Sequence, residues 1–194
     1  MKVGIHQPEH FPYLGYFQKM MSCDYFIILD NVKFKKNNWQ NRNRYLNSRN
    51  EEEWFTVPVG RKANSKLIKD VKIEDGKWRT KIVKQLSQTF PKWADDFEYI
   101  YQPSYLMDIN MRSISHCLEH LKPYEFEMNF ASNINVTGKK TELLYNLCKE
   151  VGATTYIAGQ GGLDYLDTEN FFKDIKLEVF EPDISNHYTT LSHI

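Results

Sequence analysis

Lys2-Val-Gly-Ile-His6 and Asp24-Tyr-Phe-Ile-Ile-Leu-Asp30 decide the fold of this chain. Val3–Ile5 is a short apolar strand. Tyr25–Leu29 is a continuous apolar run bounded by Asp24 and Asp30, as expected of a strand buried on both faces of a parallel sheet. Pro8 and Pro12 break regular structure after the first strand. A helix then starts near Tyr13, with Leu14, Phe17 and Met21 on one face. Strand, helix and strand within about thirty residues form a right-handed βαβ unit. Ligands in such sheets sit outside the carboxyl ends of the strands. Here those ends are His6–Gln7 and Asp30–Asn31.

Further along, Trp54–Val59 reads as a strand, with Pro58 marking an edge or bulge. Val71–Ile73 is a weaker strand. Trp78–Phe90 repeats Ile82, Leu86 and Phe90 at helical spacing. A third helix carries the stripe Met107, Met111, Ile114, Leu118 and Leu121, with Asp108 as its cap and Pro123 as its stop. Phe126–Phe130, Tyr156–Ala158 and Leu177–Phe180 complete the strands. Thr141–Val151 is an amphipathic helix ended by Gly152. Asp164–Leu166 and Phe171–Phe172 suggest one more short helix. The expected class is α/β: a Rossmann-like, mostly parallel sheet with helices on both faces and a mainly helical insertion. Residues 1–194 are read as a single domain, with 78–122 a helical subdomain within it.

The chain has 194 residues, 41% hydrophobic and 14% aromatic, enough for one sizeable core. Its net charge is +0, so no global field draws it to nucleic acid. Cys23, Cys117 and Cys148 form no CxxC pair or zinc spacing and read as small buried hydrophobes of a reducing compartment. Polar His6, Gln7, Glu9 and His10 interrupt any signal-peptide run, and no apolar run suits a membrane span. A cytoplasmic location is the simple expectation. A homo-oligomer is compatible with the sequence.

Four places carry candidate chemistry. His6 and Gln7 close the first strand, with His10 and Tyr13 in the loop and helix start that follow. A strand-end imidazole is a proton carrier, and a side-chain amide directs hydrogen bonds. Residues 31–50 hold Lys33, Lys35, Lys36, Arg42, Arg44 and Arg49, with no acid between Asp30 and Glu51. Phe34, Trp39 and Tyr45 interleave with them. Arginine clamps phosphate, and Asn41 and Asn43 read donors and acceptors. A plain solvated loop or a single-strand platform is also compatible with this segment, the latter disfavoured by neutral overall charge. Gly159-Gln160-Gly161-Gly162 follows a strand, and its glycines admit close approach of a ligand. Lys140, before the Thr141 helix, is unfavourable with the macrodipole unless an anion offsets it. Asp30 is a candidate base. No second carboxylate lies at ligand spacing, which argues against a dedicated metal site.

These residues resemble the WbqC-like family of bacterial polysaccharide loci. The matching pattern is Gln7-Pro8, Phe11-Pro12-Tyr13-Leu14-Gly15-Tyr16-Phe17, Asp24, Leu29-Asp30-Asn31-Val32, Phe34, Lys36, Trp39, Asn41-Arg42-Asn43-Arg44 and Thr56-Val57-Pro58-Val59. Weaker matches are Trp78, Gly138-Lys139-Lys140-Thr141, Tyr156-Ile-Ala-Gly159 and Asp164-Tyr165-Leu166. The chain departs from the family at His10, where Tyr is common, at Gln160–Gly161, where Ser is common, and in lacking an apolar C-terminal helix before Ile194. The resemblance implies a role in O-antigen or lipopolysaccharide biosynthesis. It implies a transferase moving an acyl or aminoacyl (glycyl) group to the amine of a nucleotide-linked amino sugar, with no certain cofactor. His6 and Asp30 would be catalytic. Gln7, His10, Tyr13, Lys36, Trp39, Asn41, Arg42, Asn43, Lys140, Gly159, Gln160 and Tyr165 would bind substrate. A fainter likeness to HIGH-type nucleotidylyltransferases offers adenylyl transfer as an alternative, though their His-x-x-His signature is out of place here. A non-catalytic sugar-nucleotide binding protein is the third reading.

Overall fold

The computed structural model describes residues 1–122, 125–160, 166–168, 170–184 and 186–194. Five parallel strands form one sheet: β1 (Lys2–His6), β2 (Tyr25–Ile28), β5 (Glu127–Phe130), β6 (Thr155–Gly159) and β7 (Lys176–Phe180), in the order β5-β2-β1-β6-β7. With helices around it, this is the expected Rossmann-like α/β class. Register sets Val3 opposite Tyr25 and Tyr156, so the apolar runs of the central strands lie side by side. Val3, Ile5, Phe26, Ile27, Ile28, Tyr156, Ile157 and Ala158 are all buried. Both faces of these strands are covered, which is why they read as unbroken apolar runs.

The chain divides into two compact units: residues 1–7, 15–29 and 123–185, and residues 8–14, 30–122 and 186–194. The first contains the sheet, α1 (Leu14–Met21, from Gly15 onward) and α5 (Thr141–Glu150). The second contains a two-stranded antiparallel hairpin, β3 (Arg42–Leu46) with β4 (Glu52–Thr56), and the helices α2 (Trp78–Thr89), α3 (Ala94–Ile100) and α4 (Leu106–Leu121). In sequence, the insertion between β2 and β5 therefore begins at Asp30, well before the helical stretch 78–122.

Several local expectations change. The basic segment 31–50 contains β3 rather than loop alone. The strand expected at Trp54–Val59 is Glu52–Thr56, and Val71–Ile73 makes only isolated bridges, Ile73 with Val59 and Lys72 with Tyr105. Helix α4 begins at Leu106, so Asp108 lies in its first turn and favours the dipole without capping it. Helix α3 lies inside the stretch 78–122 expected to be mainly helical, though no apolar period marks it: it is short and acidic, and buries only Phe97 and Ile100. Phe171–Phe172 is no helix. Phe172 adopts φ +61° and stacks on Tyr156 at 5.1 Å. The buried face of α1 is Tyr16, Phe17, Lys19 and Met20, while Leu14 and Met21 stay part-exposed. Tyr165, Asp164, Gly161 and Gly162 lie outside the described residues.

All three cysteines are free and buried. No described helix is long and apolar enough to cross a membrane. Cys23 also explains a glycine in β1. A Cβ on Gly4 would sit 2.5 Å from Cys23 Sγ and 2.9 Å from Phe26 Cδ2. Gly4→Ala should lower the unfolding free energy by ~1–3 kcal/mol through overpacking. Cys23→Ala should recover part of that in the double variant. Urea unfolding of the four proteins checks it, and unchanged stability in Gly4→Ala would refute the close packing.

Candidate functional site

The order β5-β2-β1-β6-β7 places β2 and β5 on one side of β1, and β6 and β7 on the other. The topology thus reverses between β1 and β6, and the crevice outside their carboxyl ends is where such sheets take ligands. His6 ends β1 and Gly159 ends β6. Gln7 and Gln160 follow them directly, Gln7 part-exposed and Gln160 exposed. Helix α5 leads into β6, so its N-terminus, preceded by exposed Lys140, lies toward the same edge of the sheet. Lys140 takes φ +52°, unusual for a residue with a Cβ.

The residue that joins the two strand ends is one the sequence reading passed over. Lys19 is only 4% exposed. Its Nζ donates to the Ile5 carbonyl at 2.9 Å and lies 4.0 Å from where a Cβ on Gly159 would be. A buried ammonium at a switch point is a fixed positive charge in a region of low dielectric.

His6 packs edge-on against Tyr16, ring centroids 4.9 Å apart. Its Nδ1 lies 3.0 Å from the Gln7 carbonyl, which can only accept, so Nδ1 carries the proton and Nε2 the lone pair. Close packing around the ring, then the Lys19 charge, push its pKa down to about 3, with the Gln7 bond opposing. An edge of the residue remains open to solvent even so. At neutral pH it is an uncharged acceptor rather than a strong base.

The second unit holds the remaining predicted residues, and there the structure separates scaffold from surface. His10 is fully buried, its Nε2 3.0 Å from the Tyr101 hydroxyl and its ring among Phe11, Phe55 and Tyr101. Asn41 spends its amide on the Val57 carbonyl and the Asn37 N–H. Asn43 donates to the carbonyls of His10 and Phe11 and accepts from the Arg44 N–H. These three are structural in the positions they occupy. Tyr13 is half-buried beside the His187 ring at 5.1 Å, and burial, then Glu9, raise its phenol. Asp30 is buried, and its carbonyl accepts from the Lys69 N–H at 3.1 Å. Lys36 is exposed, its backbone N–H held by Asn64. Trp39 stacks on Trp54, and Arg42 lies over the same Trp54. Among the described residues, no cluster of three or more His, Cys, Asp or Glu side chains is placed to hold a metal.

A five-stranded parallel sheet whose topology reverses between β1 and β6, with helices around it, defines a Rossmann-like α/β protein. The chain belongs to the WbqC-like protein family, whose model matches residues 7–193. It is 30% identical over 188 residues to the "Uncharacterized protein Rv1507c" of Mycobacterium tuberculosis (strain ATCC 25618 / H37Rv), covering 92% of this chain and 80% of that one. No solved structure matches.

Proposed function

We propose that this protein is a transferase that moves an acyl or aminoacyl (glycyl) group to the amine of a nucleotide-linked amino sugar in bacterial surface-polysaccharide synthesis. The observation that supports it is buried Lys19 at the switch point, its Nζ on the Ile5 carbonyl of β1 and beside Gly159 of β6. Exposed Gln160 and the exposed Lys140 ammonium before α5 suit the diphosphate. The Gln7 amide orients the sugar.

An amine attacks a carbonyl only when neutral. The surroundings that keep His6 uncharged would act on the substrate ammonium in the same way. Burial and a fixed Lys19 charge both disfavour a second cation, so the acceptor would enter the reaction as a free amine. As the N–C bond forms, the bond from the carbonyl carbon to the donor's activating group breaks, and that group leaves with the amine's proton; the His6 end of β1 helps hold the amine in line. Positioning of this kind accounts for more of the rate than a weak base does.

Supplying a nucleoside-diphosphate amino sugar and an activated acyl or aminoacyl donor should give the mass of the N-acylated sugar. Lys19→Met, which keeps the packing, should cut turnover ~10–10²-fold and move the pH profile to higher pH as the substrate amine regains its normal pKa. Failure of every activated donor to alter the sugar's mass would overturn the reading. Release of pyrophosphate from a nucleoside triphosphate and magnesium would replace it with nucleotidyl transfer.

A further inference from the structure

The outer face of the β3–β4 hairpin has the make-up of a second binding site. Pairing sets Arg42 opposite Thr56 and Arg44 opposite Trp54. Strand alternation then puts Arg42, Arg44 and Trp54 on one face, while Asn43, Tyr45 and Phe55 on the other are buried. Trp54 is 41% exposed, an unusual degree for an indole. Trp39 lies parallel to it, with centroids 5.8 Å apart and planes 13° apart.

The two arginines differ. Arg44 sits within 6.0 Å of the Trp39, Trp54 and Tyr188 rings and is ion-paired with Glu52 at 2.9 Å. Glu52 also accepts from Trp54 Nε1. Arg42 lies 4.7 Å over Trp54, and among the described residues no carboxylate pairs with it. A guanidinium stacked on an indole uses its flat face and keeps its in-plane N–H donors for a planar or tetrahedral oxyanion. The face thus offers an exposed aromatic surface beside one uncommitted fork of donors.

We propose that this face binds an anionic saccharide, with the sugar ring on Trp54 and its carboxylate or phosphate on Arg42. A single free arginine suits one charge per unit of ligand. A nucleic-acid track would need several phosphate contacts, and Glu52, on the same face and bonded to Trp54 and Arg44, opposes a polyanion of that density. The proposal does not rest on the transfer reaction proposed above, since it uses none of the switch-point residues.

Calorimetry and tryptophan fluorescence on the full chain test it, with four probes: oligogalacturonate, a hexose phosphate, a neutral maltooligosaccharide and a short oligothymidylate. Saturable binding is expected for at least one of the first two, tenfold or more tighter than for the neutral sugar. The tighter of the two identifies the oxyanion. Trp54→Ala should abolish this binding and Arg42→Gln should weaken it about tenfold, with circular dichroism of both variants unchanged. Absence of saturable binding to both acidic probes overturns the proposal, as does unchanged affinity in Arg42→Gln. Tighter binding of oligothymidylate than of either saccharide would assign the face to single-stranded nucleic acid instead.

Discussion

Asn43→Ala is expected to cost this protein ~3–5 kcal/mol of stability, a large part of a typical domain's total. Asn43 is 1% exposed. Its Nδ2 donates to the carbonyls of His10 at 3.2 Å and Phe11 at 2.7 Å, and its Oδ1 accepts the Arg44 N–H at 2.8 Å. Truncation takes this partner from the buried His10 carbonyl and the part-buried Arg44 N–H, and one of two donors from the Phe11 carbonyl, at about 1–3 kcal/mol each where nothing replaces the partner. Phe11 makes the loss worse. It sits at φ +43°, a left-handed conformation that a bulky residue adopts only when its surroundings impose it. Asn43 is one of three side chains that impose it, with Ser113 Oγ accepting the Phe11 N–H and Thr189 Oγ1 donating to the Phe11 carbonyl. Asn43→Asp should be as damaging, because it turns an oxygen toward two carbonyls. Urea denaturation of the wild type and both variants decides the matter. A loss below about 1 kcal/mol would mean that the Phe11 turn holds without this anchor.

The same residue shows where sequence reading succeeds and fails. The central strands are legible because a parallel sheet covered on both faces demands uninterrupted apolar runs, and Val3–Ile5 and Tyr25–Ile28 supply them. The hairpin is not, because the inward positions of β3 are Asn43 and Tyr45, so the period of two is masked by an amide that bonds to backbone. Helix α3 hides behind Asp95, Asp96 and Glu98 for a similar reason. His10 looks like a ligand residue until Tyr101, ninety-one positions away, supplies its partner. Lys19 shows the converse. A lysine in a helix normally reads as solvated, yet it stands between Tyr16 and Met20 on the buried stripe, and that placement was its one available signal. The switch point itself follows from strand order, which no local pattern encodes: it takes β5 pairing beside β2 and β6 beside β1 to make His6 and Gly159 the ends of adjacent strands.

Acid should unfold this protein steeply, beginning below pH ~6.5. His6 and His10 both have their pKa values pushed down to about 3, first by burial, with Lys19 adding to the effect at His6 and Asn110 opposing it at His10. His116 is lowered to about 4, by burial and then by His120, with Asp96 at 3.6 Å opposing. The unfolded chain returns each to about 6.5. Between the folded and unfolded values, the unfolded state therefore holds more protons than the native state. Stability from these groups is complete above pH ~6.5 and is lost as pH falls toward the folded pKa. Near pH 5, His6 and His10 together account for about two protons, a slope of ~2.7 kcal/mol per pH unit, and His116 adds part of a third. His10 is the cleanest probe: it is fully enclosed, with Nε2 3.0 Å from the neutral Tyr101 hydroxyl, so a proton added to it would place a charge where no solvent reaches. Urea unfolding at intervals from pH 7 to pH 4.5 measures the slope. His10→Gln should be less stable at pH 7, yet its slope should be shallower by about one proton. A wild-type slope near zero between pH 6 and pH 4.5 would mean that these imidazoles titrate in the native state at ordinary values, and that His6 is free to act as a base after all.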